Sequence, residues 1–298
     1  MSESADSDSS GGRTHPALRR LRGGLLVIHL FPAVMNSAAG LAFALIASDG
    51  AMVGRAVLVA ASVFLVSASV GSMNDFLDVD LDRRTKPDKP IARGDISPST
   101  AFAISVGAGL IGVLLSLILG LPVAAVALMV LASGLAYDIW LKGTVWSWVP
   151  YAIGIPALPV WGFLAVDRFT PVLLASFPLG ALIALALYLA NTIPDIRGDA
   201  AYGIKGLAQR LGVARSLGVT WGCLALSIGL LALTPAMFGN DPVTLVPGLL
   251  AGAVLLATMI ADRLIVRSQA SLRRGWYLAA ILSGVLGIAW VISLPVPG

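Results

Sequence analysis

The chain holds one cysteine, Cys223, and two histidines, His15 and His29, in 298 residues. A single thiol inside an apolar run excludes an internal disulfide and a thiolate metal cluster. With both histidines near the amino terminus, neither a His-ligated metal nor a His-driven nucleophilic triad is expected. Charge is scarce as well: charged residues make up 12% of the chain, against about a quarter in soluble domains. Hydrophobic residues make up 57%, and the mean hydropathy is +0.89. An ordinary soluble domain is thereby excluded, and an all-α integral membrane protein is indicated. The net charge of +4 does not argue for nucleic acid, because basic loops facing anionic lipid account for it. No short apolar core with a cleavage site precedes the first span, so no secretory signal peptide is expected.

The apolar runs predict nine transmembrane helices, at about 24–47, 52–73, 100–119, 121–137, 146–165, 171–191, 216–236, 243–261 and 276–295. They form one membrane domain, 23–298, behind a cytoplasmic tail, 1–22, whose first twelve Ser-, Asp- and Gly-rich residues read as disordered. With the amino terminus inside, eighteen of the twenty lysines and arginines fall on the cytoplasmic side, and only Arg55 and Arg168 lie outside. That is a steep positive-inside bias.

Acidic residues gather at two places, each closing an apolar run. The first is Asn74-Asp75-Phe76-Leu77-Asp78-Val79-Asp80-Leu81-Asp82. On a helix Asn74, Asp78 and Asp82 project from one face, flanked by Asp75, with no base inside the segment to pair with them. The same spacing returns at Asn191, Asp195 and Asp199, although Pro194 disturbs the helical register there. One such stretch alone reads equally as an N-cap followed by a solvated turn. Two, at the ends of two spans, point to a bound cation. Oxygen ligands without His or Cys suit magnesium better than zinc, and magnesium is commonly shared between carboxylates and substrate phosphates.

Several neighbours read two ways. In the loop Arg83 to Pro98, Lys86, Lys89 and Arg93 are either positive-inside anchors or ligands for an anionic head group. Asp138 and Lys142, four apart, are either a helix-surface ion pair or part of the site. Tyr137 and Trp140 suit an interfacial aromatic belt equally well. His29 and Asn36 are polar within an apolar span and are expected to face the bundle interior, as cavity lining or as packed contacts. Pro150, Pro156 and Pro159 kink the fifth span and widen the space beside it. From Ser216 onward the spans read as packing, without chemistry.

Two metal-binding clusters at helix ends above an apolar bundle suit a lipid-like diphosphate, with its head at the interface and its chain between helices. Neutralising the diphosphate makes ionisation at an allylic carbon accessible, and a dry cavity protects the cation. At this point the sequence resembles the UbiA superfamily of intramembrane prenyltransferases. The resemblance rests on nine spans, the motif at Asn74, Asp75, Asp78 and Asp82, and the second motif at Asp195 and Asp199. The segment Lys89-Pro90-Ile91-Ala92-Arg93-Gly94 and the Tyr137…Lys142 loop add to it.

This resemblance implies that Asn74, Asp75, Asp78, Asp82, Asp195 and Asp199 hold magnesium, with Asp78 and Asp195 central to catalysis. Arg93 and Lys142 then contact diphosphate oxygens, and Lys86, Lys89, Asn191 and Lys205 join them. Tyr137 and Asp138 stand where an acceptor is oriented or loses its proton. The activity implied is prenyl transfer from an allylic diphosphate to a lipophilic acceptor, an aromatic or quinone precursor. A membrane terpene cyclase would ionise the same donor. A secondary transporter fits less well, because transporter coupling residues sit near the bilayer midplane and these acids sit at helix ends.

Overall fold

The computed structural model describes residues 16–196, 198, 203 and 205–294. The expectations for the first twelve residues and for Asp199 lie outside the described residues. Among the described residues the structure is helical, with no strand. Eight helices are long and apolar enough to cross a membrane, and a ninth, Val149–Ala165, is apolar and shorter. The chain is therefore a multi-pass membrane protein.

In order, the helices are α1 (Pro16–Val27), α2 (Leu30–Ala47), α3 (Val53–Leu77), α4 (Val79–Thr85), α5 (Pro98–Leu119) and α6 (Leu121–Ala136). A π-helical turn, Tyr137–Leu141, extends α6. Then follow α7 (Val149–Ala165), α8 (Ser176–Thr192), a 3-10 turn (Ile193–Asp195), α9 (Leu207–Ala232), the short α10 (Thr234–Phe238), α11 (Pro242–Val266) and α12 (Gln269–Ile292). The spans correspond to those read from the sequence, with three displaced starts: the first begins at Leu30 rather than 24, the seventh at Leu207 rather than 216 and the ninth at Gln269 rather than 276.

The first span begins at Leu30 rather than near 24, because His29 takes the left-handed conformation (φ 51°) and turns the chain. Residues 16–27 thus form their own helix, α1. It exposes Leu18, Leu21, Leu25 and Leu26 beside Arg19, Arg20 and Arg22, a composition suited to the membrane interface.

Within lipid, hydrophobicity cannot draw one helix to another, so small residues and interhelical hydrogen bonds do. Helix α3 shows both devices. Gly112 of α5 lies so close that a Cβ there would stand 3.0 Å from Val66 Cγ2 and 3.2 Å from the Ser62 carbonyl. Ser62 Oγ donates to Gly112 O at 2.6 Å, and Ser105 Oγ to Ser69 O at 2.8 Å. Such bonds contribute about 0.6 kcal/mol each in membranes. This packing fixes the height of α3 and therefore of the acidic residues at its end.

Candidate active site

Helix α3 ends at Leu77, and Asp78 (φ −87°, ψ 6°) separates it from α4. That interruption divides the first motif. Asn74 Nδ2 donates to Asp138 Oδ1 at 2.9 Å, and Asp78 pairs with Lys142. Asp75 and Asp82 instead share one ammonium: Lys89 Nζ lies 2.7 Å from Asp75 Oδ1 and 2.8 Å from Asp82 Oδ2. The three residues expected on one face are therefore split, because the helix is not continuous through Asp78. Burial pushes the Lys89 ammonium down, but Asp75 and Asp82 outweigh it and hold its pKa above the usual lysine value. Burial pushes the Asp82 carboxyl up, and Lys89 only partly offsets this.

Asp75 is 2% exposed and also meets His29 Nε2 at 2.8 Å. Gly71 makes that possible: a Cβ there would stand 3.0 Å from the His29 side chain. His29 thus belongs to the site's edge. Its only signal in the sequence is a polar residue in an apolar run.

In the second motif Pro194 replaces the helix by the 3-10 turn Ile193–Asp195. Asn191 Nδ2 donates to Tyr151 Oη at 2.9 Å, while Asp195 Oδ2 accepts from Lys86 Nζ at 2.7 Å. Gln269, on the ninth span, donates to the Pro194 carbonyl at 3.0 Å. The region after Ser216 therefore does reach the site, through a glutamine whose role no sequence spacing announces.

The π turn Tyr137–Leu141 stands where π-bulges often occur, at a functional end. It carries Asp138 to Asn74 and Lys142 to Asp78, so the local Asp138–Lys142 ion pair does not form. Asp138 Oδ2 is buried and has no partner among the described residues. Arg93 turns to Asp95, whose other oxygen lies 3.4 Å from Arg19. It is not brought to either acidic cluster. Lys205 is exposed just before α9.

Three tyrosines join the two halves. Tyr137 and Tyr151 meet edge to face with centroids 6.1 Å apart, and Tyr151 and Tyr188 at 5.7 Å. Ser147 Oγ donates to Tyr188 Oη at 2.6 Å. On the bundle side of this stack runs an apolar cleft between α2, α7, α8 and α12. Its cavity volume is about 130 Å³, and it opens to the surroundings. Pro156 and Pro159 both line it, where the sequence placed a kinked helix beside a widened space.

Among the described residues no three carboxylates or imidazoles converge on a single point. Ammonium groups stand between them instead: Lys89 on Asp75 and Asp82, Lys142 on Asp78, Lys86 on Asp195. The donors themselves are oxygens, four carboxylates and the Asn74 amide, and that chemistry fits magnesium.

The profile of the UbiA prenyltransferase family matches residues 33–270. A digeranylgeranylglyceryl phosphate synthase of Halobacterium salinarum is 32% identical over 246 residues, 78% of this chain and 85% of its own. One of Natronomonas pharaonis is 30% identical over 216 residues, 71% and 76% of the two chains. The solved structure of a UbiA homologue from Archaeoglobus fulgidus, bound to GPP and Mg2+, matches with a TM-score of 0.70 at 19% identity. That likeness covers 90% of this chain and 99% of that one. Acidic motifs closing two spans above an apolar cleft thus sit on a shared fold and a shared sequence profile, and the chain belongs to the UbiA prenyltransferase family.

Proposed function

We propose that this protein transfers a prenyl group from an allylic diphosphate to a hydroxyl-bearing lipophilic acceptor, with magnesium, at the cytoplasmic face of the membrane. One observation carries the reading: Lys86, just after the first acidic motif, pairs with Asp195 of the second, and the same helix bundle holds a cleft lined mainly by apolar side chains. A charged head and a hydrocarbon chain each find their own environment there. The Archaeoglobus homologue's GPP and Mg2+ support the same assignment.

Asn74, Asp75, Asp78 and Asp82 on one side, and Asp195 and Asp199 on the other, would hold magnesium. When bound, the metal neutralises the diphosphate and makes it a better leaving group. Lys86, Lys89 and Lys142, which pair with these carboxylates in the structure, would bind diphosphate oxygens through charge-assisted hydrogen bonds. Asn191 and Lys205 complete the anion's surroundings, and Arg93 secures the loop through Asp95. Departure of diphosphate leaves an allylic cation against the tyrosine stack, whose ring faces favour positive charge. The acceptor oxygen attacks that carbon, and Asp138 Oδ2 takes the proton released.

The family resemblance of the sequence implies an aromatic or quinone precursor as acceptor. The relatives' names widen it, since they include glyceryl phosphate products and, in a Citrus limon protein, a coumarin. Purified protein with magnesium, geranylgeranyl diphosphate and either a glycerol-ether phosphate or a phenol tests this. Prenylated product with one of them is expected. A cyclic hydrocarbon formed without acceptor would establish the cyclase reading in its place.

A further inference from the structure

Helix α1 packs on the loop between α4 and α5. A Cβ on Gly23 would stand 2.9 Å from Ile96 Cγ2 and 3.0 Å from Asp95 Cβ, so the helix backbone lies directly on the loop. Val27 is fully buried with Ile91, Ile96 and Ala101. Arg19 Nε lies 3.4 Å from Asp95 Oδ1, and the other Asp95 oxygen takes Arg93. The same loop carries Lys86 to Asp195 and Lys89 to Asp75 and Asp82. Just past its carboxyl end, His29 meets Asp75 at 2.8 Å. One short helix thus bears on the loop that holds two of the site's lysines and, through His29, on Asp75.

The opposite face of α1 is exposed. At about 100° per residue, Leu18, Leu21 and Leu25 fall within about 60° of one another, on the side away from Gly23 and Val27. They are 62%, 63% and 48% exposed. Arg20 and Arg22 are exposed as well and form no ion pair among the described residues, and α1 contains no acid. Because His29 meets Asp75 near the end of the α3 span, α1 stands at the depth where that span leaves the bilayer. A leucine stripe with unpaired guanidinium groups at that depth suits one partner, the head-group region of an anionic bilayer.

We propose that α1 binds anionic phospholipid, with Leu18, Leu21 and Leu25 in the interface and Arg20 and Arg22 on head-group phosphates, and that this contact holds the loop of Lys86 and Lys89 over the acidic motifs. Each arginine near an anionic surface favours the bound helix by about fivefold, so the pair favours it by about twenty-five-fold. Held there, α1 keeps Gly23 against Ile96 and Arg19 on Asp95, and the loop's lysines stay beside the carboxylates. The effect on turnover rests on the donor reading proposed above. The lipid contact does not.

The test places the protein in nanodiscs of phosphatidylcholine, alone or with about one third phosphatidylglycerol. A nitrobenzoxadiazole dye on Leu21→Cys, in a Cys223→Ala background, brightens when it enters the interface. Diphosphate release is followed without dye at saturating magnesium, so that metal gathered by the anionic surface does not enter the comparison. Arg20→Gln/Arg22→Gln removes the charge, and Arg20→Lys/Arg22→Lys keeps it. Phosphatidylglycerol is expected to brighten the dye and to raise kcat/KM by about threefold or more with the native arginines and with the lysine pair, but not with the glutamine pair. In phosphatidylcholine alone the glutamine variant should match wild type. A dye signal that is the same in both lipids, or a gain that the glutamine pair keeps, overturns the lipid contact. An equal lipid effect on turnover in wild type and the glutamine variant, no effect included, overturns the hold on the loop. Release absent from every disc overturns the donor reading instead, and the dye still decides the lipid contact.

Discussion

Lys86 Nζ lies 2.7 Å from Asp195 Oδ2, joining the two acidic motifs across 109 residues of sequence. Both side chains are 38% exposed, so water screens the pair and it contributes at most about 1 kcal/mol to stability. Its consequence is in function. Lys86→Met is expected to leave thermal unfolding in detergent nearly unchanged and to lower kcat/KM by about tenfold or more, the worth of one charged hydrogen bond. Equal loss of fold and activity would make Lys86 a structural strut.

Metal dependence follows from the carboxylate set. Asp78→Ala and Asp195→Ala are expected to reduce turnover to background while the protein still elutes as a folded species. Excess chelator should do the same to wild type, with recovery on adding magnesium. Full activity in chelator would defeat the assignment of these oxygens to a metal.

The charge bias predicts the orientation. Asp88 is exposed in the loop between α4 and α5, and a cysteine there, in a Cys223→Ala background, should react with an impermeant reagent only from the cytoplasmic side. Labelling from outside would invert the proposed topology.

Transfer and ionisation separate at Asp138. Because its Oδ2 is buried without a partner and its Oδ1 takes the Asn74 amide, Asp138→Asn keeps the shape but loses the proton acceptor. Prenylated product should fall by about a hundredfold, with acceptor-free diphosphate release changed far less. If both fall together, Asp138 serves the diphosphate site or the fold.

The tyrosine stack makes a graded prediction. Tyr151→Phe keeps the ring and loses only the hydroxyl that accepts from Asn191. Tyr151→Leu loses the ring face as well. If that face steadies the cation, the leucine variant should be slower than the phenylalanine variant by roughly threefold to thirtyfold, the range of a cation–π contact. Equal rates in a kinetic comparison at saturating donor would remove the ring from the mechanism.

What the sequence determined by itself is what hydration energies dictate. Apolar runs long enough to cross a bilayer cannot remain in water, so the spans themselves were legible, although the starts of the first, seventh and ninth were not. Acids ending two of those runs stood out for the same reason. The tertiary structure decided the pairings. An ion pair four residues apart on a helix is worth only about 0.3–0.5 kcal/mol, so Asp138 and Lys142 yield to Asn74 and Asp78 across the bundle once the π turn presents them there. Arg93 likewise goes to Asp95, and Asp82 joins Asp75 through Lys89. His29 and Gln269 were not legible as site residues, because each matters only through what another helix brings beside it. Long-range neighbours of that kind leave no periodicity in a single sequence. They come into being when the glycines and serines of the bundle let the helices close.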